Sequence, residues 1–357
     1  MSEPLETDAI IGVLGGGQLG RMLSVAASRL GLRTHIFDPA TTPPAASVAD
    51  MLTTAPYEDQ VALKAFAKSV SVITYEFENI PVTAFDCLGQ YAPIRPGREA
   101  LRISQDRLIE KTFLNELGLK TASYAGVETL KDLELALIKI GKPSILKTRR
   151  LGYDGKGQVP ISAKSNHKEI LEKFAGQKAI LEGFVQFSRE ISVIGARSPS
   201  GNIACFDPGE NVHRNGILHT ATVPARISKS QRTDAVLIIA KIMNALEYIG
   251  VMCVELFVTP SGLIVNEIAP RVHNSGHWTQ NGCVVDQFEQ HIRAIVGWPM
   301  GDGSRHNNVI TENLIGSDID QVGVLALDKN VALHIYGKRD VQPGRKMGHF
   351  NRVSPKR

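Results

Sequence analysis

Cysteine is scarce in this 357-residue sequence: Cys87, Cys205, Cys253 and Cys283 lie far apart, and no Cys-x-x-Cys pair occurs. That spacing argues against a zinc ribbon and a dithiol redox motif, and four separate thiols fit a reducing cytoplasm. Long apolar runs are missing too. The most apolar stretch, "VLIIAKIMNALEYIGVMCVELFV", is broken by Lys241, Asn244 and Glu247, whereas a membrane span needs roughly 20 apolar residues. Charge is not concentrated: 40 Lys and Arg against 36 Asp and Glu give +4, with no long basic block. This suits an anionic substrate without indicating nucleic acid. The polar, acidic start "MSEPLETDAI" argues against a signal peptide. No internal repeat or low-complexity segment is present.

What is there is the composition of a globular enzyme, with 43% hydrophobic and 21% charged residues, and a length that suits two or three domains. "AIIGVL" is a short apolar run ending in glycines and predicts a buried strand. Leu19, Met22, Leu23, Ala26 and Leu30 then recur at helical spacing. Gly31 supplies a stop, "RTHIFD" a second strand and "VSVITYEF" another. Alternating strands and helices predict a doubly wound parallel α/β domain over residues 1–103.

"PIRPGREA" is a plausible boundary. A helix is expected through "SQDRLIEKTFLNELG", with Ser104 as candidate N-cap. Strands follow at "PSILKT", "KAILEGFV" and "REISVIGAR", and a long helix at "TDAVLIIAKIMNALEYIG". The last 55 or so residues read as short strands and loops.

The first glycine loop, "GVLGGGQLGRM", contains Gly15-x-Gly17-x-x-Gly20, the spacing of a dinucleotide-binding turn. Asp38 follows Gly20 by 18 residues, near the acidic position of NAD-binding folds. An NAD-dependent dehydrogenase is therefore one candidate. Another is that a helix starting at Gln18 and Leu19 holds a different anion.

"VMCVELFVTPSGLIVNEIAP" predicts a hairpin. With Pro260, Ser261 and Gly262 as a three-residue loop, Thr259 faces Leu263, Phe257 faces Val265 and Glu255 faces Glu267. A slip of one residue would separate the glutamates. Opposed like charges destabilise a ladder unless both are exposed or share a cation. Mg²⁺ takes hard oxygen ligands, commonly one or two carboxylates plus substrate phosphates. Asn266 and Asn274 offer further oxygens, although Asn266 points to the other face in this register.

A second glycine-rich passage, "ILKTRRLGYDGKGQ", places Lys147 at a strand end ahead of Gly152, Gly155 and Gly157. Such backbone approaches phosphate oxygens closely, with Lys147 and Lys156 as added charges. It is not a P-loop, and a surface hairpin is the plain alternative. In "ILEGFVQFSRE", backbone groups at Glu182, Phe184 and Val185 suit an adenine edge and Glu190 suits a ribose; an ordinary strand and turn is the alternative.

Eight segments occur together in order: "GVLGGGQLGRM", "YEFENIP", "QDRLIEK", "SILKTRRLGYDGKGQ", "LEGFVQFSREIS", "ENVHRNGILHTATVPAR", "NEIAPRVHNSGHWT" and "YGKRDVQPGRKMGHFN". In these the chain resembles the ATP-grasp superfamily, and within it the N5-carboxyaminoimidazole ribonucleotide synthases of purine biosynthesis. The resemblance spans nearly the whole chain. It implies an ATP-grasp fold over residues 104–300 with a lid at about 120–190. A Rossmann-like domain would precede it, and a small C-terminal β-rich domain would occupy residues 301–357. The family usually continues with a further C-terminal helix beyond "GHFNRVSPKR".

The resemblance also implies a reaction: bicarbonate is phosphorylated by ATP to carboxyphosphate, which carboxylates the 5-amino group of aminoimidazole ribonucleotide. It assigns ATP to Arg107, Lys147, Gly152, Tyr153, Asp154, Gly155, Lys156, Gly157, Gln158, Glu182, Gly183, Phe184, Val185, Glu190, His213, Asn266 and Glu267. Mg²⁺, with Mn²⁺ as substitute, falls to Glu255 and Glu267, in agreement with the hairpin count.

Arg271, His273 and Asn274 are candidates to hold bicarbonate and its developing charge, against a purely structural histidine at 273. Asp154 is a candidate to orient the substrate amine or take its proton. Lys338 and Arg345 are placed at the ribonucleotide phosphate, where the first loop (Gly17, Gln18, Leu19) meets it from the other side. Glu76 is a candidate for the ribose. Arg271, His273, Asn274, Asp154 and Lys338 form the candidate catalytic set.

A homodimer, a cytoplasmic location and hand-off of product to the N5-carboxyaminoimidazole ribonucleotide mutase are further implications. The rivals are another ATP-grasp ligase (formate-dependent glycinamide ribonucleotide transformylase or a biotin carboxylase-like enzyme), the dehydrogenase, and a non-catalytic nucleotide-binding protein.

Overall fold

A computed structural model describes residues 3–152 and 155–356. The tyrosine and aspartate at 153 and 154, both candidate site residues, lie outside the described residues.

The N-terminal part alternates as expected: β1 (Ile10–Leu14), α1 (Gln18–Arg29), β2 (Arg33–Asp38), β3 (Met51–Thr54), α2 (Gln60–Lys68), β4 (Val72–Tyr75) and α3 (Val82–Leu88). The strands form a parallel sheet in the order β3-β2-β1-β4. Helix α1 buries Leu19, Met22, Leu23 and Ala26 on one face. The chain turns at Gly31, whose φ of 76° suits glycine.

Two helices follow, α4 (Arg98–Ser104) and α5 (Arg107–Glu116), where the sequence suggested one. Ser104 ends α4 instead of capping. The cap is Asp106, whose carboxylate accepts from the Leu108 and Ile109 amides. Asp and Ser are comparable N-caps, so the one that breaks the helix had no separate signal.

The next strands make a small sheet of order β5-β8-β6-β7: β5 (Tyr124–Val127), β6 (Ser144–Thr148), β7 (Gln158–Ile161) and β8 (Ala179–Gly183), with α6 (Leu130–Ile140) and α7 (His167–Glu172) between them. Its core joins Val127, Leu133, Leu146 and Leu181.

The largest sheet has nine strands. Its central members are β9 (Arg189–Arg197), β10 (Ile203–Cys205), β11 (Gly209–Arg214), β12 (Ile217–Val223) and, after α8 (Lys229–Ala245), the hairpin β13 (Gly250–Thr259) and β14 (Gly262–Ala269). Helices α9 (Thr279–Gly282) and α10 (Gln287–Val296) lead to β15 (Asn307–Ile315). After the short α11 (Val322–Leu325), β16 (Val331–Ile335) and β17 (Lys346–Pro355) continue the same sheet in the order β12-β15-β17-β16. β15 and β17 run nine and ten residues, longer than the short strands expected.

The N-terminal sheet packs on the large sheet through α1 and α10. Leu23, Ala27, Phe288, Ile292 and Ile295 share one core. At its rim Arg29 pairs with Asp286 at 3.3 Å and Glu289 at 2.7 Å, and buried Thr74 meets His291 Nε2 at 2.8 Å.

Candidate active site

All three sheets contribute to one cleft of about 620 Å³. Its floor is the β13–β14 hairpin. Glu255 does face Glu267, but by another route than the sequence count. Thr259 pairs with Gly262, leaving a two-residue turn, Phe257 pairs with Ile264, and a bulge beyond Leu256 restores the Glu255–Glu267 pair. The bulge absorbs Asn266, as one extra residue on one strand. It also corrects the expected facing of that side chain: Asn266 Nδ2 lies 3.4 Å from Glu255 Oε2, on the glutamates' side.

The two carboxylates have different surroundings. Burial favours neutral acids, yet Glu267 is held down at about 2 because Arg107 donates to it at 2.8 Å. Glu255 is pushed up to about 7 by burial and by Glu267 opposite. Its neighbours are His273 Nε2 at 3.7 Å and Asn266. His213 lies 2.6 Å from Glu190. Burial opposes its charge, but Glu190, Glu255 and Glu267 together raise its pKa.

One wall carries Lys147, which donates to Glu182 at 2.9 Å. Burial lowers the Lys147 pKa. Lys111, which sequence reading missed, lies 3.6 Å from the same carboxylate and donates to the Asn266 carbonyl at 2.9 Å. Burial would raise Glu182, and the two lysines hold it below its usual value. Of the second glycine loop, Gly152, Gly155, Lys156 and Gln158 line the cleft. A Cβ on Gly155 would come within 3.0 Å of Gly216, in the β11–β12 turn, so the loop lies across the cleft. Gly157 sits with φ 73° over Thr148. Gly183, Phe184 and Val185 instead border a separate hollow with the hairpin tip at Thr259 and Pro260, and the Gly183 and Phe184 amides bond to Ser123 and Pro143.

The other end of the cleft holds Arg271, His273 and Asn274. Arg271 pairs with Glu78 at 2.8 Å, a residue missed although it lies within "YEFENIP". His273 Nδ1 is 2.8 Å from Ser275 Oγ and accepts from the Ser275 amide at 3.3 Å, which leaves Nε2 to carry the proton. Burial and the Arg271 charge push it down to about 3, so the ring is neutral. The buried Gln287 amide holds the His273 backbone on both sides, accepting from its N–H at 2.9 Å and donating to its carbonyl at 2.8 Å. Among the described residues, Arg271 Nε and both amide atoms of Asn274 are buried without a protein partner. Such groups are costly unless a ligand or water meets them.

At the first glycine loop, Gly17, Gln18 and Leu19 line the cleft. Glu76 is buried and accepts from the Gly17 amide and from the Gly20 amide at 2.7 Å. Burial raises its pKa against those two bonds. Asp38 accepts from the Gly16 and Ala40 amides at 2.6 and 2.7 Å. The acid expected to read an NAD ribose is thus bonded to its own loop, which counts against the dehydrogenase. Lys338 Nζ reaches Gln18 Oε1 at 2.5 Å and the Lys346 carbonyl at 2.7 Å. Arg345 donates to the Asp340 carbonyl at 3.0 Å, while its neighbour Lys346 lines the cleft.

Comparison with known proteins matches three families along the chain: the ribonucleotide synthetase pre-ATP-grasp domain over residues 9–105, the ATP-grasp domain over 112–288 and the phosphoribosylaminoimidazole carboxylase C-terminal domain over 310–357. N5-carboxyaminoimidazole ribonucleotide synthase of Brucella melitensis is 50% identical over 356 residues, covering 99% of this chain and 98% of that protein. The crystal structure of the Staphylococcus aureus enzyme complexed with ADP superposes with a TM-score of 0.94 at 36% identity, over 99% of this chain and 95% of that one. The Aspergillus clavatus enzyme, solved with ADP and 5-aminoimidazole ribonucleotide, gives 0.92 at 29% identity, over 98% and 94%. On full-length matches of this kind, the chain belongs to the N5-carboxyaminoimidazole ribonucleotide synthase family of the ATP-grasp superfamily.

Proposed function

We propose that this chain is a C–N bond-forming ligase that carboxylates 5-aminoimidazole ribonucleotide with bicarbonate and ATP in purine biosynthesis. The observation that carries the reading is one cleft with three kinds of subsite. It joins a cation-flanked glutamate pair under a glycine-rich loop, buried unpartnered donors at Arg271 and Asn274, and a helix N-terminus beside Lys338.

A bicarbonate oxygen attacks the γ-phosphorus as the bond to the ADP oxygen breaks. The amine nitrogen then attacks the carboxyl carbon, phosphate leaves with the C–O electrons, and the amine loses a proton. Phosphoryl transfer asks chiefly for positioning and charge neutralisation. Arg107, Lys147, Lys156 and the loop amides at Gly152, Gly155 and Gly157 supply both, with Glu190 and His213 at the sugar end. The segment 182–185 is our candidate for the adenine edge. The donor set at Glu255 and Glu267 fits Mg²⁺, a hard cation taking two carboxylates. When bound, it would neutralise charge on the β- and γ-phosphates.

Arg271, charged and orienting through Glu78, would hold bicarbonate. Neutral His273 and Asn274 would donate to the developing oxyanion. The loop over the cleft excludes water from carboxyphosphate, which hydrolyses readily. Lys338 with Gln18 and Leu19 would take the 5′-phosphate, with Arg345 nearby, and Glu76 the ribose. Asp154 keeps its proposed role toward the amine.

We place the domain boundaries near 103 and 300. The separate β5–β8 sheet supports a lid at about 120–190. The family resemblance supports a homodimer, a cytoplasmic location and product hand-off to the mutase. ADP release with ATP, Mg²⁺, bicarbonate and aminoimidazole ribonucleotide tests the central reading, omitting each in turn. Turnover that ignores the ribonucleotide but requires formate and glycinamide ribonucleotide would overturn it.

A further inference from the structure

Between α4 and α5, Gln105 lies almost fully buried beside the cleft, 7% exposed. Its side-chain amide uses every polar atom across three segments. Nε2 donates to the Glu78 carbonyl at 2.6 Å and the Ile80 carbonyl at 2.7 Å. Oε1 accepts from Arg150 at 2.6 Å. Two carbonyls on one side and a guanidinium on the other fix which atom is nitrogen.

The two partners belong to different halves of the site. Arg150 stands at the root of the second glycine loop, whose preceding residue Arg149 makes a two-point bond to Asp106 at 3.0 and 2.7 Å. Glu78 stands in the loop after β4 and carries the carboxylate that holds Arg271 at 2.8 Å. An amide saturated on both sides resists rotation, because turning it leaves a buried group unpaired. A shift of the loop root is therefore felt at the Glu78 backbone, and through Glu78 at Arg271.

We propose that Gln105 is a positioning residue that couples the ATP-side glycine loop to the acceptor-side Glu78–Arg271 pair. Loop closure over ATP and the setting of Arg271 then occur together, so that phosphoryl transfer is matched to the presence of an acceptor. The inference rests on the carboxylation reading above.

Two opposite lesions test it. Gln105→Glu keeps an acceptor for Arg150 but sets a carboxylate against two carbonyl oxygens, cutting the acceptor-side link. Arg150→Ala, at an exposed residue, cuts only the loop-side link. The measurements are carboxylated product formed per ADP released, and the stimulation of ADP release by aminoimidazole ribonucleotide. Both variants should yield fewer than about half as many products per ADP as wild type. The stimulation should shrink at least about fivefold, the lower range of site-to-site coupling. The melting temperature of Arg150→Ala should stay within about 2 °C of wild type. A wild-type ratio and stimulation in Arg150→Ala would overturn the coupling, whatever happens to the folding of Gln105→Glu. Wild-type protein that releases no ADP with bicarbonate and the ribonucleotide would instead overturn the reading of the reaction.

Discussion

Glu255 and Glu267 are chemically identical and face each other on one rung of the ladder, yet the chain treats them differently. Glu267 is bonded to Arg107 and stays ionised, whereas Glu255 has only a weak amide contact and a neutral histidine beside it. Glu267→Gln keeps the shape but removes a charge that Arg107 needs. It should lower kcat on the order of 100-fold or more, as loss of a transition-state charge partner does, with an unchanged circular dichroism spectrum. Near-normal turnover would remove this pair from the mechanism. Lys338→Ala separates binding from chemistry. A charged hydrogen bond contributes about 1.5–3 kcal/mol, so the KM for the ribonucleotide should rise roughly ten- to a hundredfold while kcat holds. A rise confined to the KM for ATP would contradict the placement. At this scale the sequence was most informative where a residue type has few uses, as with paired carboxylates, and least where it has many. Gln105 and Lys111 begin and end the segment "QDRLIEK", and Gln287 lies outside every such segment, but in none of them does residue type state a role; only their partners, up to 155 residues away, reveal what they do.

At the scale of elements, periodicity located most strands and helices, because apolar alternation reports burial directly. The hairpin shows what it misses. The expected three-residue loop and the observed two-residue turn with a bulge bring the same glutamates together. One residue moved from the tip to Asn266, and nothing in the local sequence announces a bulge. The same limit applies at α5, where Asp106 and not Ser104 is the cap. Glycines with positive φ were better markers. In the second glycine loop, Gly157 has φ 73°, and a Cβ there would come within 2.6 Å of Thr148 Oγ1. Gly157→Ala should therefore strain the β6–β7 connection by about 1–3 kcal/mol. The expected result is an ATP KM raised roughly tenfold, with faster proteolysis confined to this loop. An unaltered KM would mean that the loop geometry does not set ATP binding.

At the scale of the molecule, the sequence suggested an N-terminal parallel sheet, but not that β15 and β17 would extend the central sheet beyond β12. That joining depends on pairings between β12 and β15 nearly 90 residues apart, beyond the reach of local pattern. It leaves a line of histidines where the parts meet, three of them buried and His334 half-buried. His277 and His334 both stack on His349, at 4.4 and 4.5 Å between ring centroids, and His291 bonds to Thr74 across the N-terminal interface. Burial keeps all four neutral, with His291 pushed down to about 3 and His334 to about 4, and His277 and His349 also lowered. The unfolded chain protonates such histidines near pH 6.5. The folded chain does so only at lower pH, so stability is present above about 6.5 and is lost as pH falls below it. Each such group contributes up to about 1.4 kcal/mol per pH unit in that window. His213, raised beside Glu190, and the Glu76, Glu110 and Glu255 carboxyls, raised by burial, act with the opposite sign, but they are four groups against six once His35 and His273, also lowered by burial, are counted. The urea midpoint should therefore fall clearly between about pH 7.5 and about pH 5. His291→Asn should flatten part of that fall even if it lowers the midpoint at both values. An equal midpoint at the two pH values would mean that these rings take up protons in place, which their stacking and burial argue against.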